Sequence, residues 1–225
     1  MVEILQEDNQ ILVCIKPVGV LSQPDTSGEE DMITLLNEHV NIKQEKSNIN
    51  PIHRLDRNVG GVMVFAKKPY AAAQLSKAIQ ERTFQKEYYA IVHGCPGEKQ
   101  GVYKDLLFKD SSKNKSFVVS RPRKGVKEAS LEYQVMDTNE SPIGVISLVK
   151  IRLHTGRTHQ IRVQFSSRKM PLVGDGKYGS KDNGCEIALW SHKLEFLHPT
   201  KKEKVEYAKM PPGCYPWNLF SILSQ

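Results

Sequence analysis

Val145-Ile146-Ser147-Leu148-Val149-Lys150-Ile151-Arg152-Leu153 is the stretch that decides the fold. In an extended chain Val145, Ser147, Val149, Ile151 and Leu153 share one face, and Ile146, Leu148, Lys150 and Arg152 the other. The chain around it reads as further strands. From Val102 onward the pattern is one of short strands and turns. Phe84 to Val92 carries paired aromatics and β-branched residues, Gly61 to Ala66 reads as a buried strand, and Ile187 to Phe196 as another. Ile11 to Ile15 is an apolar run stopped by Lys16-Pro17. Helical spacing is confined to three places: Asp31 to Val40, through Met32, Leu35, Leu36 and Val40; Pro69 to Arg82, with Tyr70, Ala73, Ala78 and Ile79 as its apolar positions; and Arg157 to Ser167, after Gly156. Ile42 to Asn50 reads as a loop, and the tail with Pro211-Pro212 as irregular. Scattered strands with few helices predict an α+β fold, a mainly antiparallel mixed sheet with flanking helices, in one domain over 1–225.

Composition narrows the class. With 225 residues, 39% hydrophobic and 25% charged, the chain can bury a core without metal or disulfide staples. Its longest apolar run, Gly60 to Ala66, is far below the roughly 20 residues needed to span a bilayer, so no membrane partner is expected. Met1 to Gln10 holds Glu3, Glu7 and Asp8 and no basic residue, unlike a signal peptide. Cys14, Cys95, Cys185 and Cys214 are widely spaced, with no zinc-like pair, which fits a reducing cytoplasm. The net charge of +7 suits a polyanion partner or a solvated basic face. Eight basic residues against Asp105 and Asp110 fall between Lys104 and Lys127, which reads as a basic hairpin or loop.

The sharpest chemical segment is His53-Arg54-Leu55-Asp56-Arg57-Asn58-Val59-Gly60-Gly61. An acid between two arginines, ahead of two glycines and a strand, suits an ionised carboxylate projecting from a loop as nucleophile or base. It equally suits a structural salt bridge on a tight turn. A second segment runs from Leu153 to Arg162, where Arg157, His159 and Arg162 can present donors to an anion, or a polar cap can close the core. His154 and His159 have no carboxylate or cysteine beside them, so no metal is expected. Gly174-Asp175-Gly176-Lys177-Tyr178-Gly179 matches a dinucleotide fingerprint in letters only, because turn formers follow where a helix is required. Tyr88 and Tyr89 lie on opposite faces of their strand, so at most one lines a site.

Six motifs, in order, carry a resemblance: Lys16-Pro17-Val18-Gly19-Val20; His53-Arg54-Leu55-Asp56; Lys86 to Gly94; Thr155 to Arg162; Gly174-Asp175 through Tyr178-Gly179; and Phe196 with His198-Pro199. Together they make the chain resemble the RluA-type RNA pseudouridine synthases from about Ile11 to Pro212. The resemblance implies that Asp56 is the essential aspartate and that Arg54 fills the stack vacated by a flipped uridine. It implies that Tyr88 is the active-site tyrosine, Arg162 the partner of the aspartate, and Ile161 the apolar residue against uracil. No cofactor is implied, and no separate N-terminal RNA-binding domain. One departure stands out. Val59-Gly60-Gly61 replaces the family's usual Thr-Ser-Gly.

The function expected on this basis is isomerisation of specific uridines to pseudouridine in ribosomal or transfer RNA, by a monomer with a central RNA-binding cleft. Arg157, His159 and Gln160 are expected to contact substrate, and Lys113, Lys115, Arg123 and Lys124 to grip the RNA backbone. The alternative is an RNA-binding or RNA-folding protein of the same fold without chemistry, for which the altered Val59-Gly60 speaks.

Overall fold

A computed structural model describes residues 2–42, 49–182 and 184–223. Its strands and helices, in chain order, are β1 Glu3–Glu7, β2 Ile11–Lys16, α1 Met32–Ile42, β3 Asn50–Pro51, β4 Gly60–Ala66, α2 Pro69–Gln80 and β5 Gln85–His93. There follow β6 Gln100–Asp110, β7 Lys115–Val119, β8 Val126–Ser141, β9 Gly144–Leu153, α3 Gln160–Ser166, β10 Leu189–Leu197 and β11 Lys204–Ala208. Eleven strands and three helices among the described residues make this α+β, as the strand-rich pattern predicts. Most of the predicted loop from Ile42 to Asn50 lies outside the described residues.

The chain divides into two units. The first comprises Met1–Lys86 and Trp190–Met210, the second Glu87–Leu189 and Pro211–Gln225. In the first unit β2 pairs antiparallel with β1 and β4, β10 runs parallel to β4, and β11 pairs antiparallel with β10. The parallel β4–β10 pair makes the pairing mixed. Every residue of β2 and β4 is buried, which explains why both read as unbroken apolar runs and not as alternating strands. Helix α1 starts where Asp31 caps it: one carboxylate oxygen accepts from the backbone N–H of Ile33 at 2.8 Å and of Thr34 at 3.2 Å. Met32, Leu36 and Val40, four apart, are fully buried. Helix α2 begins with Pro69 as predicted, but its buried face is Ala71 and Leu75. Tyr70, expected on the apolar face, is 52% exposed, with the Lys202 amine 5.9 Å from its ring centroid.

The second unit is an antiparallel ladder in the order β5-β9-β8-β6-β7. The short strands expected after Val102 prove long: β6 has 11 residues and β8 has 16, with a register shift between Val135 and Asp137. Their charges hid them. In β8, Ala129, Leu131 and Tyr133 are buried while Glu128, Glu132 and Gln134 face outward, the period-two pattern of a half-solvated sheet. Strand β9 is buried on both faces from Ile146 to Val149. Helix α3 starts at Gln160, three residues later than predicted, because His159 adopts a left-handed conformation (φ 53°) that a helix cannot pass through. The basic segment is a hairpin of β6 and β7, whose turn is closed by the Asp110 carboxylate accepting from Ser112 and Lys113 N–H. No helix among the described residues is long and apolar enough to cross a membrane.

Candidate functional site

Asp56 sits half-buried on the turn before β4, closed by Val59 N–H donating to the Asp56 carbonyl at 3.0 Å. The turn is pinned on both sides. Ser22 donates its hydroxyl to the Leu55 carbonyl at 2.8 Å and accepts from Leu55 N–H at 3.0 Å. Lys16, wholly buried, donates from Nζ to the carbonyls of Pro17 at 2.8 Å, Val20 at 2.5 Å and Arg57 at 2.9 Å. Burial pulls the Lys16 ammonium down to about 8, and the charge of Asp56 partly offsets this. Lys16 therefore both staples the turn and supplies positive charge beside the carboxylate. Of the two flanking arginines, Arg57 turns away, to Glu29 at 2.7 Å and the Gly19 carbonyl at 3.0 Å. Arg54 is exposed and has no hydrogen bond or ion pair among the described residues. His53 is buried and accepts Val64 N–H, and burial holds it neutral, with its pKa lowered to about 3.

The Gly60 half of the departure is matched by packing. A Cβ on Gly60 would stand 2.5 Å from Cζ3 of Trp190, and one on Gly61 would collide with the Ser191 carbonyl oxygen. Gly61 also has φ +119°, open only to glycine at low cost. Any side chain at position 60 is excluded by an indole, so the missing hydroxyl there goes with the presence of Trp190.

In the second unit Tyr88 is buried on β5 opposite Ile151 of β9, and Tyr89, its neighbour, is half-buried opposite Lys150. Arg162 on α3 is 5% exposed and grips Asp175 with two bonds, Nε to Oδ2 at 2.6 Å and Nη2 to Oδ1 at 2.8 Å. Its guanidinium carbon lies 5.0 Å from the ring centroid of Tyr178. Asp175 is fully buried, and its role as orienter of Arg162 is absent from the sequence reading, which places it only in a glycine turn. An acid thirteen residues past a helical arginine carries no periodic signal. Ile161 is 4% exposed.

The remaining substrate-contact candidates are tied into the fold to different degrees. Gln160 is buried. Its carbonyl oxygen accepts from the Thr155 hydroxyl at 2.7 Å and Arg157 N–H at 3.1 Å, and its amide donates to the Ser130 carbonyl at 3.1 Å. It thus folds the Thr155–Arg157 loop onto β8. Arg157 is exposed and donates to the Glu128 carbonyl at 2.9 Å. His159 stands edge-on to Tyr178, its Nδ1 3.0 Å from the phenol oxygen. The same oxygen accepts Ser116 N–H at 2.8 Å, which ties β7 to α3. Lys113 and Lys124 are exposed on turns, while Lys115 donates to the Lys177 carbonyl at 2.6 Å and Arg123 lies over the Phe108 ring, 4.5 Å from its centroid. Gly176–Tyr178 form a single 3-10 turn, which confirms that the glycine pattern opens no dinucleotide-binding helix.

Residues 10–167 match the family model of the RNA pseudouridylate synthases. The chain belongs to that family. The matched span contains the motifs of Asp56, Tyr88 and Arg162. The chain is 34% identical over 208 residues to the uncharacterized RNA pseudouridine synthase YhcT of Bacillus subtilis, covering 90% of this chain and 66% of the relative. It is 32% identical over 203 residues to the ribosomal large subunit pseudouridine synthase D of Borreliella burgdorferi, covering 86% of this chain and 60% of the relative. The chain thus spans about two thirds of the length of these curated relatives. Human RNA pseudouridylate synthase domain containing 4 shares the fold, with a TM-score of 0.77 at 23% identity, covering 93% of this chain and 88% of that one. The RluA-type resemblance carried by the six motifs is borne out.

Proposed function

We propose that this member of the family is an active RNA pseudouridine synthase. The observation that carries the reading is the family match over 10–167, which holds the Asp56, Tyr88 and Arg162 motifs in one span. In the reaction the bond between uracil N1 and the sugar C1′ breaks, the base turns, and C5 bonds to C1′. The proton lost from C5 is balanced by one gained at N1. Asp56 is the carboxylate that attacks the sugar or takes its proton, and Tyr88 packs on the base and assists removal of the C5 proton. Arg162, oriented by Asp175, is the cation serving that carboxylate, and a bidentate guanidinium suits the task because its geometry is fixed. Ile161 packs against uracil. Arg54 replaces the flipped base in the stack, offsetting an unstacking cost of a few kcal/mol. Arg157, His159 and Gln160 shape the substrate side of the site, Gln160 through the loop it holds.

Relatives named ribosomal large subunit pseudouridine synthases C and D favour ribosomal RNA over transfer RNA as substrate. We place the protein in the cytoplasm, as a monomer with its cysteines as thiols. The binding-only alternative is the weaker reading, since the Gly60 part of its one supporting feature goes with the packing of Trp190.

Asp56→Asn tests the reading. Tritium release from RNA labelled at uridine C5 should fall below about a hundredth of wild type, since loss of a general base costs 10²–10⁴-fold, while RNA affinity is retained. Turnover above that level removes Asp56 from the chemistry.

A further inference from the structure

We infer that the outer face of the β6–β7 hairpin is a stacking platform for unpaired RNA bases, formed by Phe117 and by Arg123 layered on Phe108. The inference rests on the RNA-modifying reading and names what this surface takes: the flat faces of bases, beyond the phosphates expected of its lysines.

The face is defined by register. Phe108 and Phe117 are direct cross-strand partners, and Val126 of β8 stands opposite Phe108 on its other side, so the three project to one side of the sheet. The opposite side is core: Leu107, Ala129, Val163 and Tyr178 are buried together with Val118 packed on them. On the outer side Phe117 is 37% exposed, an unusual position for a phenylalanine on a strand already paired along one edge. The Lys115 amine lies 5.8 Å from its ring centroid. Arg123 is carried to Phe108 by the turn that begins β8, closed by Val126 N–H donating to the Arg123 carbonyl at 3.0 Å. The guanidinium carbon lies over the phenyl ring, 4.5 Å from its centroid, and Arg123 is itself exposed.

Charge selects the partner. The segment Lys104–Lys127 has eight basic residues and two acids. Both acids are engaged: Asp105 with Arg168 at 2.9 Å, and Asp110 with its own turn. On the outer face one acid stands one pair further along in each direction: Asp110, opposite Lys115 and held by its own turn, and Glu128, opposite Leu106. An exposed ring and an exposed arginine plane in a cationic field fit a ligand that is planar and polyanionic. Unpaired RNA stacks on aromatic rings and on guanidinium planes in this way.

The test uses the intact protein and a single-stranded oligoribonucleotide carrying one 2-aminopurine, a base whose fluorescence is quenched by stacking. Phe117→Leu keeps an apolar side chain at an exposed position, and its melting temperature is the control for folding. Phe117→Leu and Arg123→Lys should each weaken binding roughly tenfold, within the range for one stacked base, and reduce the quench. Neither removes a charge, so the slope of log affinity against log salt should stay at the wild-type value. Wild-type affinity and quench in both variants overturn the platform while leaving the proposed activity standing. Weaker binding with a flatter salt slope also overturns it, because these side chains then act on phosphates and not on bases. Failure of the wild type to bind any RNA overturns both readings.

Discussion

The indole of Trp190 occupies the space that a side chain at Gly60 needs, and Trp190 is itself held by its Nε1 donating to the Lys209 carbonyl at 2.9 Å. Gly60→Ala should therefore cost about 1–3 kcal/mol, the range for overpacking. Trp190→Leu will be destabilising by itself, but combined with Gly60→Ala it should cost less than the two summed. The coupling expected for residues that touch is about 0.5–3 kcal/mol. Urea unfolding of the four proteins measures it, and strict additivity would remove Trp190 as the reason for glycine at position 60.

Asp175→Asn should be worse for the protein than its small change of structure suggests. It leaves the Arg162 guanidinium buried opposite a neutral amide, and breaking a buried pair from one side costs about 3–5 kcal/mol. Turnover should drop with it, and Asp175→Glu should restore part of the turnover by restoring the charge. Equal melting temperatures and equal single-turnover rates for wild type and Asp175→Asn would show that Arg162 is positioned by something else.

Acid sensitivity should trace in part to His53. Its pKa is about 3 in the fold against an ordinary 6.5, because burial and the nearby Lys86 charge disfavour the imidazolium. Between those values the unfolded chain binds the extra proton and the folded chain does not, so stability falls as pH drops below about 6.5. The slope is at most roughly 1.4 kcal/mol per pH unit. His53→Gln, whose amide oxygen reaches the place of Nε2, can still accept Val64 N–H and does not titrate. The unfolding free energy of wild type minus that of the variant should decline from pH 7 to pH 4.5, and a flat difference would mean that the folded protein admits the proton.

Charge reversal on the hairpin should respect what each cation already does. Lys115 is tied to the Lys177 carbonyl and Arg123 covers Phe108, so reversing either also disturbs packing. Lys113→Glu with Lys124→Glu is the cleaner variant. For every phosphate deprived of its lysine, the salt slope of RNA binding should fall by about 0.7–0.9, with turnover at saturating RNA little changed. An unchanged slope would make these lysines part of a solvated loop.

What could be read in the sequence and what could not divides along physical lines. The strands buried on both faces, β2 and β4, and the capped helix α1 were legible because their signals are local. The lengths of β6 and β8 were not, since charged residues on the solvated side of a strand resemble those of a loop. The start of α3 was missed because the backbone at His159, not its side chain, ends the turn before the helix. Asp56 was legible as an acid in a glycine-flanked loop. The groups that hold that loop were not: Lys16 lies about 40 positions earlier and read as the end of a strand, and Trp190 lies about 130 positions later. Such support is long-range, and spacing within a motif carries no trace of it.

The first unit is assembled from two stretches, Met1–Lys86 and Trp190–Met210, with the whole of Glu87–Leu189 between them. On a ribosome adding ~5–20 residues per second, the strand bearing Trp190 and Ser191 emerges on the order of ten seconds after the Asp56 turn. Until then β4 lacks its parallel neighbour, and Gly60 and Gly61 lack the Trp190 and Ser191 that pack on them. The nascent chain therefore carries its carboxylate long before it carries the wall behind it. In that interval the Asp56 turn has the bonds from Lys16 and Ser22 but not the packing that Trp190 and Ser191 give to Gly60 and Gly61. The chain order itself places completion of this wall well after the carboxylate has been made.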